Sequence, residues 1–152
     1  DICPSSGISE DRLVNVDYKD RSNIKVMLAD DSALIRRLLK DTLTKAGFRN
    51  LRIFDDGQQA LDYLTELKAK KGENFREDVQ LLITDIEMPR MDGLTLTRKI
   101  KEDPILQKLP VIVFSSLITD ELRHKGESVG ANAQLSKPEV EGLVKTIDNL
   151  LS

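Results

Sequence analysis

The sequence predicts a doubly wound α/β domain with a five-stranded parallel sheet and five helices. Short apolar runs alternate with segments of helical periodicity, and several of the runs end at a carboxylate, a hydroxyl or a lysine. A strand that leads directly into a helix is typical of βαβ units, whose right-handed crossovers put helices on both faces of the sheet. The flavodoxin-like strand order 2-1-3-4-5 would bring the ends of strands one, three, four and five into one crevice.

The first two strand and helix pairs are indicated by apolar runs and helix caps. Ile24 to Ala29 is an apolar run interrupted only by a lysine, and Ser32 begins a helix that a glycine ends. Leu51 to Phe54 forms the second strand. Asp56-Gly57 then opens a helix with a lysine-rich end, where cations suit the helix dipole. Residues 73–78 are expected to be a polar connection.

The third strand leads to the central carboxylate. Val79 to Thr84 is a nearly unbroken apolar run, which is typical of a strand buried on both faces, and Asp85 follows it. Pro89 stops the strand, and a short helix is expected from Gly93 to Ile100. Because ligands bind at the carboxyl ends of strands in open parallel sheets, Asp85 is the candidate reactive group.

The last two strand and helix pairs have weaker patterns. Residues 110–114 form a buried fourth strand, and the helix over residues 119–129 is polar with a marginal apolar face. That helix is expected to be the most mobile element. Residues 131–136 form a fifth strand that ends before Lys137, and a helix over residues 139–150 closes the fold.

Length, charge and composition limit the class of function. The chain has 152 residues, 39% hydrophobic and 32% charged, which is enough for one domain with its own core. A net charge of -3 argues against a nucleic-acid partner. No stretch reaches the roughly 18 apolar residues that a membrane span needs, so membrane insertion is not expected. The single cysteine, Cys3, fits a reducing compartment, and we expect the cytoplasm.

The first 23 residues have the composition of a linker. Pro4, two serines and Gly7 come early, and mixed charges follow. The chain also begins with Asp1 rather than methionine. We therefore expect residues 1–23 to be a linker from an upstream domain and residues 24–152 to be the α/β domain.

Three carboxylates, a hydroxyl and a lysine are expected to converge at the strand ends. Asp30 and Asp31 follow the first strand, Asp85 the third, Ser115 the fourth and Lys137 the fifth. Clustered carboxylates stay ionised together only beside a cation, and an all-oxygen site suits Mg²⁺. A carboxylate can attack a phosphoryl donor while a metal, a lysine and a hydroxyl share the charge of the transferred oxygens. The pattern therefore favours phosphoryl transfer to Asp85.

The order and spacing of these motifs carry a family resemblance. Asp30-Asp31, Thr84 to Gly93, Ser115-Ser116 and Lys137-Pro138 together resemble the receiver domain of two-component response regulators, over residues 24–150. Within that family, the residues of the central motif resemble those in the C-terminal receivers of chemotaxis coupling proteins of the CheV type. Proteins of that type join a CheW-like coupling domain to a receiver. The resemblance thus implies that the upstream domain is CheW-like.

The resemblance implies roles for the site residues. Asp85 would accept a phosphoryl group from the phosphohistidine of a chemotaxis histidine kinase. Asp31, Asp85 and the backbone carbonyl of Glu87 would bind Mg²⁺, and Asp30 would assist through water. Lys137 would pair with the phosphate. The domain would be regulatory, catalysing only its own phosphorylation and dephosphorylation.

The same resemblance suggests how a signal would leave the site. Ser115 would hydrogen-bond a phosphoryl oxygen and carry the switch to the surface formed by the fourth helix and fifth strand. Many receivers have an aromatic residue at the position of Gln134, so coupling through an aromatic ring is in doubt here. The Ser115 hydroxyl, which would bond the phosphoryl group, is present. A receptor array would be reached through the upstream coupling domain.

Other interpretations stay open at the level of sequence. A magnesium-dependent phosphatase or phosphotransferase could use Asp85 as nucleophile and Glu87 as its acid-base partner, although no substrate-specificity insertion is visible. A receiver-like module that binds partners without phosphorylation is the other alternative. Asp30-Asp31 in isolation would more often be a helix cap, and its role in a site depends on the other residues.

Overall fold

The computed structural model describes residues 23–115, 119–136 and 140–151. Residues 1–22, nearly all of the expected linker, lie outside this part of the chain, as do Ser116 and Lys137. The described strands are β1 (Lys25–Ala29), β2 (Asn50–Phe54), β3 (Leu81–Thr84), β4 (Val111–Ser115) and β5 (Ala133–Ser136). The described helices are α1 (Ala33–Lys45), α2 (Gly57–Lys71), α3 (Gly93–Glu102), α4 (Asp120–Ser128) and α5 (Val140–Leu151).

All neighbouring strands pair in parallel, in the order β2-β1-β3-β4-β5. This confirms the fold class and the strand order predicted from the sequence. The register sets Ala29 opposite Thr84 at the carboxyl ends of β1 and β3, and Ser115 opposite Ser136 at the ends of β4 and β5. Asp30 and Asp85, which directly follow β1 and β3, therefore emerge together at the carboxyl edge of the sheet.

Side chains cap the first turns of four helices. Ser32 accepts a hydrogen bond from the Ile35 N–H at 3.3 Å, and Asp56, Asp92 and Thr119 cap α2, α3 and α4 in the same way. A side-chain oxygen at this position satisfies an N–H that the helix itself leaves unpaired. Among the described helices, none is both long enough and apolar enough to cross a membrane.

The sheet is covered on both faces by hydrophobic clusters. All four residues of β3 are buried, as expected for a central strand. One cluster packs the sheet against α2 and α3, and the other packs it against α1 and α5. Members of the first cluster include Met27, Leu64, Phe75, Leu82 and Ile100, and members of the second include Leu28, Leu43, Phe48, Ile83 and Ile147.

Several segments differ from the prediction. The strand β3 begins at Leu81 rather than Val79, α3 ends at Glu102 rather than Ile100, and an unpredicted 3₁₀ helix spans Leu106–Lys108. The expected polar connection at residues 73–78 is largely a 3₁₀ helix, Gly72–Glu77, that buries Phe75 completely. One aromatic residue in a short polar segment gives no periodicity, so the pattern could not show this contact. The fifth strand begins at Ala133 rather than residue 131, because the Ala131 N–H still bonds the Gly126 carbonyl of α4.

Candidate functional site

The backbone of the sheet sets Asp30 and Asp85 side by side. The Asp85 N–H donates to the Ala29 carbonyl at 2.8 Å, and the Asp30 N–H donates to the Phe54 carbonyl at 3.1 Å. Each aspartate thus extends the hydrogen bonding of the parallel strands by one residue. Their side chains leave the sheet at its carboxyl edge, where the strands stop and the loops begin.

Asp30, Asp31 and Asp85 form an acidic cluster at this edge. One carboxylate oxygen of each residue lies within 4.8 Å of the others. Asp30 is 1% exposed and Asp85 9% exposed, whereas Asp31 is open to solvent. Three carboxylates so close together repel one another, and a cation relieves that repulsion. This set of hard oxygen donors, open on one side, fits Mg²⁺, which keeps several of its waters.

Backbone N–H groups fix the orientation of the two buried carboxylates. Ser32 donates its N–H to Asp30 Oδ1 at 2.8 Å, and Ile86 donates its N–H to Asp85 Oδ1 at 2.7 Å. The pocket therefore presents two carboxylates whose directions are fixed by the backbone.

The loop from Asp85 to Gly93 is closed tightly at its base. The Gly93 N–H bonds the Ile86 carbonyl at 2.7 Å. A Cβ at Gly93 would overlap the carbonyl oxygen of Asp85 and lie 2.8 Å from its carbonyl carbon. The Thr84 hydroxyl donates to that same carbonyl oxygen at 2.9 Å. Only glycine fits here, so the start of α3 is pressed against the backbone of the candidate acceptor.

The tip of this loop is held by an ion pair that the sequence did not indicate. Arg90, at a backbone φ of 66°, donates from Nε at 3.1 Å and from Nη2 at 2.7 Å to Asp56 Oδ2. Burial of Asp56 opposes ionisation, but hydrogen bonds from the Gln59 N–H and from Arg90 bring its pKa below the ordinary 3.8. Asp56 was expected only as a helix start. Its partner lies 34 residues away, where no short-range pattern could show it.

Ser115 and Gln134 lie on the other side of the cluster. Ser115 ends β4 and is 2% exposed. Gln134, on β5, turns toward α4, where its Nε2 donates to the Arg123 carbonyl at 2.8 Å. Lys137 lies outside the described residues.

Gly126 of α4 makes room for the Gln134 side chain. A Cβ at Gly126 would overlap the terminal amide of Gln134, with its nitrogen only 2.7 Å away. Within the described part of the chain, Gln134 Oε1 is buried and has no hydrogen-bond partner. A lone glycine in a polar helix gave no sequence signal of this contact.

A cavity of about 420 Å³ lies elsewhere, at the amino ends of β1 and β2. Its walls include Lys25, Arg49, Arg52, Tyr63 and Asp78. None of the candidate site residues that the structure describes lines this cavity. The acidic cluster is the better candidate for chemistry because its carboxylates can act on a phosphate.

Several curated proteins are similar in sequence. The chain is 34% identical over 134 residues to the chemotaxis protein CheV3 of Helicobacter pylori, covering 88% of this chain and 43% of that protein. It is 37% identical over 129 residues to the gliding motility regulatory protein of Myxococcus xanthus, covering 84% and 15%. The chain thus spans less than half the length of these two relatives. It is also 34% identical to CheY-3 of Vibrio cholerae, covering 76% of this chain and 82% of that protein.

Solved structures show the same fold. CheY4 of Vibrio cholerae, a chemotaxis response regulator, superposes with a TM-score of 0.67 at 29% identity, covering 84% of this chain and 98% of that one. The chain of a CheX-CheY-BeF3-Mg complex from Borrelia burgdorferi gives a TM-score of 0.72 at 23% identity, covering 85% and 90%, and supports the fold alone. Residues 26–148 match the response regulator receiver domain family. With the fold, the family match and the CheV3 and CheY relatives in agreement, the chain belongs to the response regulator receiver domain family and is of the chemotaxis type.

Proposed function

We propose that this receiver takes a phosphoryl group on Asp85 from a chemotaxis histidine kinase. The observation that carries the proposal is the cluster of Asp30, Asp31 and Asp85 at the carboxyl edge of the sheet. Asp85 is the member of that cluster that directly follows the central strand β3, and its carboxylate is oriented by the Ile86 N–H. A nucleophile needs such a fixed orientation to attack in line.

Asp31, Asp85 and the Glu87 carbonyl are proposed to hold Mg²⁺, with Asp30 assisting through a water molecule. The bound cation would neutralise the carboxylates and share the charge of the phosphoryl oxygens. The cluster supports this assignment for the three aspartates. The closed base of the loop supports it for Glu87, since Glu87 is the second residue after Asp85 and lies inside that loop.

The transfer step requires Asp85 in its ionised form. An oxygen of the Asp85 carboxylate would attack phosphorus, the bond from phosphorus to the donor imidazole nitrogen would break, and the electron pair would remain on that nitrogen. Hydrolysis would reverse the modification, because attack by water on phosphorus returns the Asp85 carboxylate and releases inorganic phosphate. The domain would thereby act on itself.

Ser115 and Lys137 are proposed to bind the transferred group. The Ser115 hydroxyl would donate to one phosphoryl oxygen, and the Lys137 ammonium would pair with another. The register of β4 and β5 supports a shared role, since Ser115 lies opposite Ser136 and Lys137 is the next residue in the chain. Gln134 would pass the change to α4 through its bond to the Arg123 carbonyl, in place of a rotating aromatic ring.

The partners follow from the relatives and from the surface beside the pocket. The similarity to CheV3 supports a chemotaxis kinase as donor and an upstream CheW-like coupling domain as the link to receptors. Leu34, 76% exposed, and Leu38 lie one helical turn apart on α1, which begins directly after the acidic pair. We propose that the kinase contacts these leucines as it brings its phosphohistidine to Asp85.

Intact mass spectrometry tests the proposal. The chain and its Asp85→Asn variant would each be incubated with Mg²⁺ and acetyl phosphate, then treated with hydroxylamine, which cleaves acyl phosphates. We expect one labile phosphoryl group on the unaltered chain and none on the variant. Unmodified chain under conditions where Mg²⁺ binds would instead favour an interaction module without phosphorylation. Continued turnover of a phosphate ester would favour the phosphatase alternative.

A further inference from the structure

We infer that Asp56 and Arg90 form a positioning pair that holds the Glu87 carbonyl at the cation site. The side chains of Asp56 and Arg90 bond each other, and Asp56 also bonds the Gln59 N–H, so the pair would act on the site through the loop that carries Glu87. The inference rests on the proposed function, because the position of that carbonyl matters only if the pocket binds a cation.

The backbone conformation of Arg90 needs to be stabilised by contacts with the surrounding structure. Arg90 is the single non-glycine residue with a positive φ, 66°, among residues 23–115, 119–136 and 140–151. A side chain with a Cβ is disfavoured in this left-handed conformation. Such a conformation persists where the surroundings determine it, and it is common near functional sites.

Asp56, at the start of α2, makes the contacts that stabilise this conformation. Its Oδ1 accepts the Gln59 N–H at 2.8 Å, which ties the carboxylate to the first turn of the helix. Its Oδ2 accepts both Arg90 hydrogen bonds, and the residue is 5% exposed. One buried carboxylate therefore joins the start of α2 to the tip of the loop with a different oxygen for each. Two donors on a planar guanidinium also fix the direction of the arginine.

The loop also rests directly on α2. A Cβ at Gly57 would overlap the Met91 carbonyl oxygen and lie 3.2 Å from the carbonyl carbon. The Met91 N–H closes a tight turn by bonding the Pro89 carbonyl at 2.7 Å. The tip of the loop is thus packed against the helix with no space for an intervening side chain.

Together these contacts fix the loop at two places. The Gly93 N–H closes the base on the Ile86 carbonyl, and the ion pair with the Met91 contact closes the tip. Glu87 lies between the two. Loss of the ion pair would leave the base intact but free the tip, and the Glu87 carbonyl would lose its fixed direction toward the cation. Second-layer contacts of this kind tune metal affinity in other proteins.

Three variants separate positioning from simple stabilisation. Asp56→Asn keeps a good helix cap but removes the charge that binds Arg90. Arg90→Gly removes the guanidinium and places a residue that accepts a positive φ. Arg90→Lys keeps the charge and loses the two-donor geometry, so it should keep part of the positioning of the loop.

Asp103→Asn is the matched control. Asp103 has the same arrangement at the far end of α3: Oδ1 accepts the Ile105 N–H at 2.8 Å and Oδ2 accepts Lys68 Nζ at 2.6 Å. It lies outside the loop that carries Glu87. Removing its charge should affect stability without affecting the cation site.

Calorimetric titration with Mg²⁺ and urea unfolding without Mg²⁺ give the two readouts. We expect Asp56→Asn and Arg90→Gly each to weaken Mg²⁺ binding roughly tenfold. The double variant should bind Mg²⁺ no more weakly than either single variant, because both changes remove the same interaction. Asp103→Asn should bind Mg²⁺ as tightly as the unaltered chain. Unchanged Mg²⁺ affinity in both loop variants, with or without a loss of stability, would overturn the positioning role alone. Absence of Mg²⁺ binding by the unaltered chain would overturn the proposed function and this inference together.

Discussion

The helices α3 and α4 show how differently the two sides of this domain are packed. The ten residues of α3 include the buried Gly93, Leu96, Thr97 and Ile100, whereas Gly126 is the one buried residue described among the nine of α4. The strands repeat the contrast, because β3 is buried throughout and β5 is partly exposed throughout. Elements with few buried contacts open at low free-energy cost. The side with the acidic cluster is therefore the better anchored one.

Polar contacts follow the same division. On the α3 side, both oxygens of Asp56 are hydrogen-bonded, and the loop they hold is fixed at its tip and base. On the α4 side, Gln134 uses its nitrogen to bond α4, while its buried oxygen has no partner in the described part of the chain. An unsatisfied buried oxygen disfavours the present arrangement relative to any in which it gains a donor. The loop beside the acidic cluster is therefore held by more satisfied polar contacts than the α4 side.

Gly93→Ala should have the largest effect, because the new Cβ would overlap the Asp85 carbonyl oxygen and neither backbone can yield. We expect a loss of about 3 kcal/mol or more in the free energy of unfolding in urea. Phosphoryl acceptance by Asp85 should fall with it. The control is Gly142→Ala on α5, where a Cβ meets nothing within 4 Å. A Gly93→Ala variant as stable as this control would contradict the close contact.

Gly126→Ala should have a smaller effect, and its sign should depend on Gln134. With Gln134 present, the new Cβ displaces a flexible amide and breaks its bond to Arg123, at a cost of about 1 kcal/mol. With Gln134→Ala, the same change should stabilise the helix by about 0.5 kcal/mol, because alanine favours helix more than glycine. A double-mutant cycle in urea measures the coupling. Equal effects in both backgrounds would show that the two residues do not interact.

Acid should reduce the stability that Asp56 contributes at the start of α2. The pKa of Asp56 is lowered in the fold, against burial, by Gln59 and Arg90. The contribution of Asp56 to the free energy of unfolding is therefore fully present above its pKa in the unfolded chain, near 3.8. It is lost as the pH falls from that value through the lower pKa of the folded chain. Urea unfolding between pH 6 and about pH 3 should show a shallower acid decline for Asp56→Asn than for the unaltered chain. Parallel declines would mean that Asp56 is not anchored as described.

Leu34→Ala should leave stability nearly unchanged, within about 0.5 kcal/mol, because this side chain is mostly in solvent. We expect slower phosphoryl transfer from the kinase and an unchanged rate with acetyl phosphate. Ile53→Ala, on the edge strand β2 and also exposed, is the matched control. Equal kinase rates for the two variants would argue against the α1 surface as the docking site.

The fold could be predicted from the sequence because each strand and helix carries its own local pattern. The apolar run before Asp85 and the cap at Ser32 are short-range signals, and the parallel order follows from regular alternation. The proximity of Asp30 and Asp85 then follows from the topology, since they directly follow two neighbouring strands. The sparse burial of α4 agrees with its marginal apolar face.

Contacts between distant residues could not be predicted in this way. Asp56 and Arg90 are 34 positions apart, and each has an ordinary local explanation as a helix cap and a loop cation. Gly126 and Gln134 likewise meet only because α4 packs on β5. Phe75 lay in a segment too polar and short to show a buried face. The roles given to Lys137 and Ser115 stay predictions.

Hydrogen exchange with and without phosphorylation tests the division of the domain most directly. The chain and Asp85→Asn would be compared in Mg²⁺, with and without acetyl phosphate, and exchange followed by mass spectrometry in peptides from α3 and from residues 119–136. We predict that phosphorylation changes exchange in the α4 and β5 peptides and leaves the core of α3 unchanged, with no effect in Asp85→Asn. A change confined to α3, or no change in a chain shown to be phosphorylated, would contradict the account.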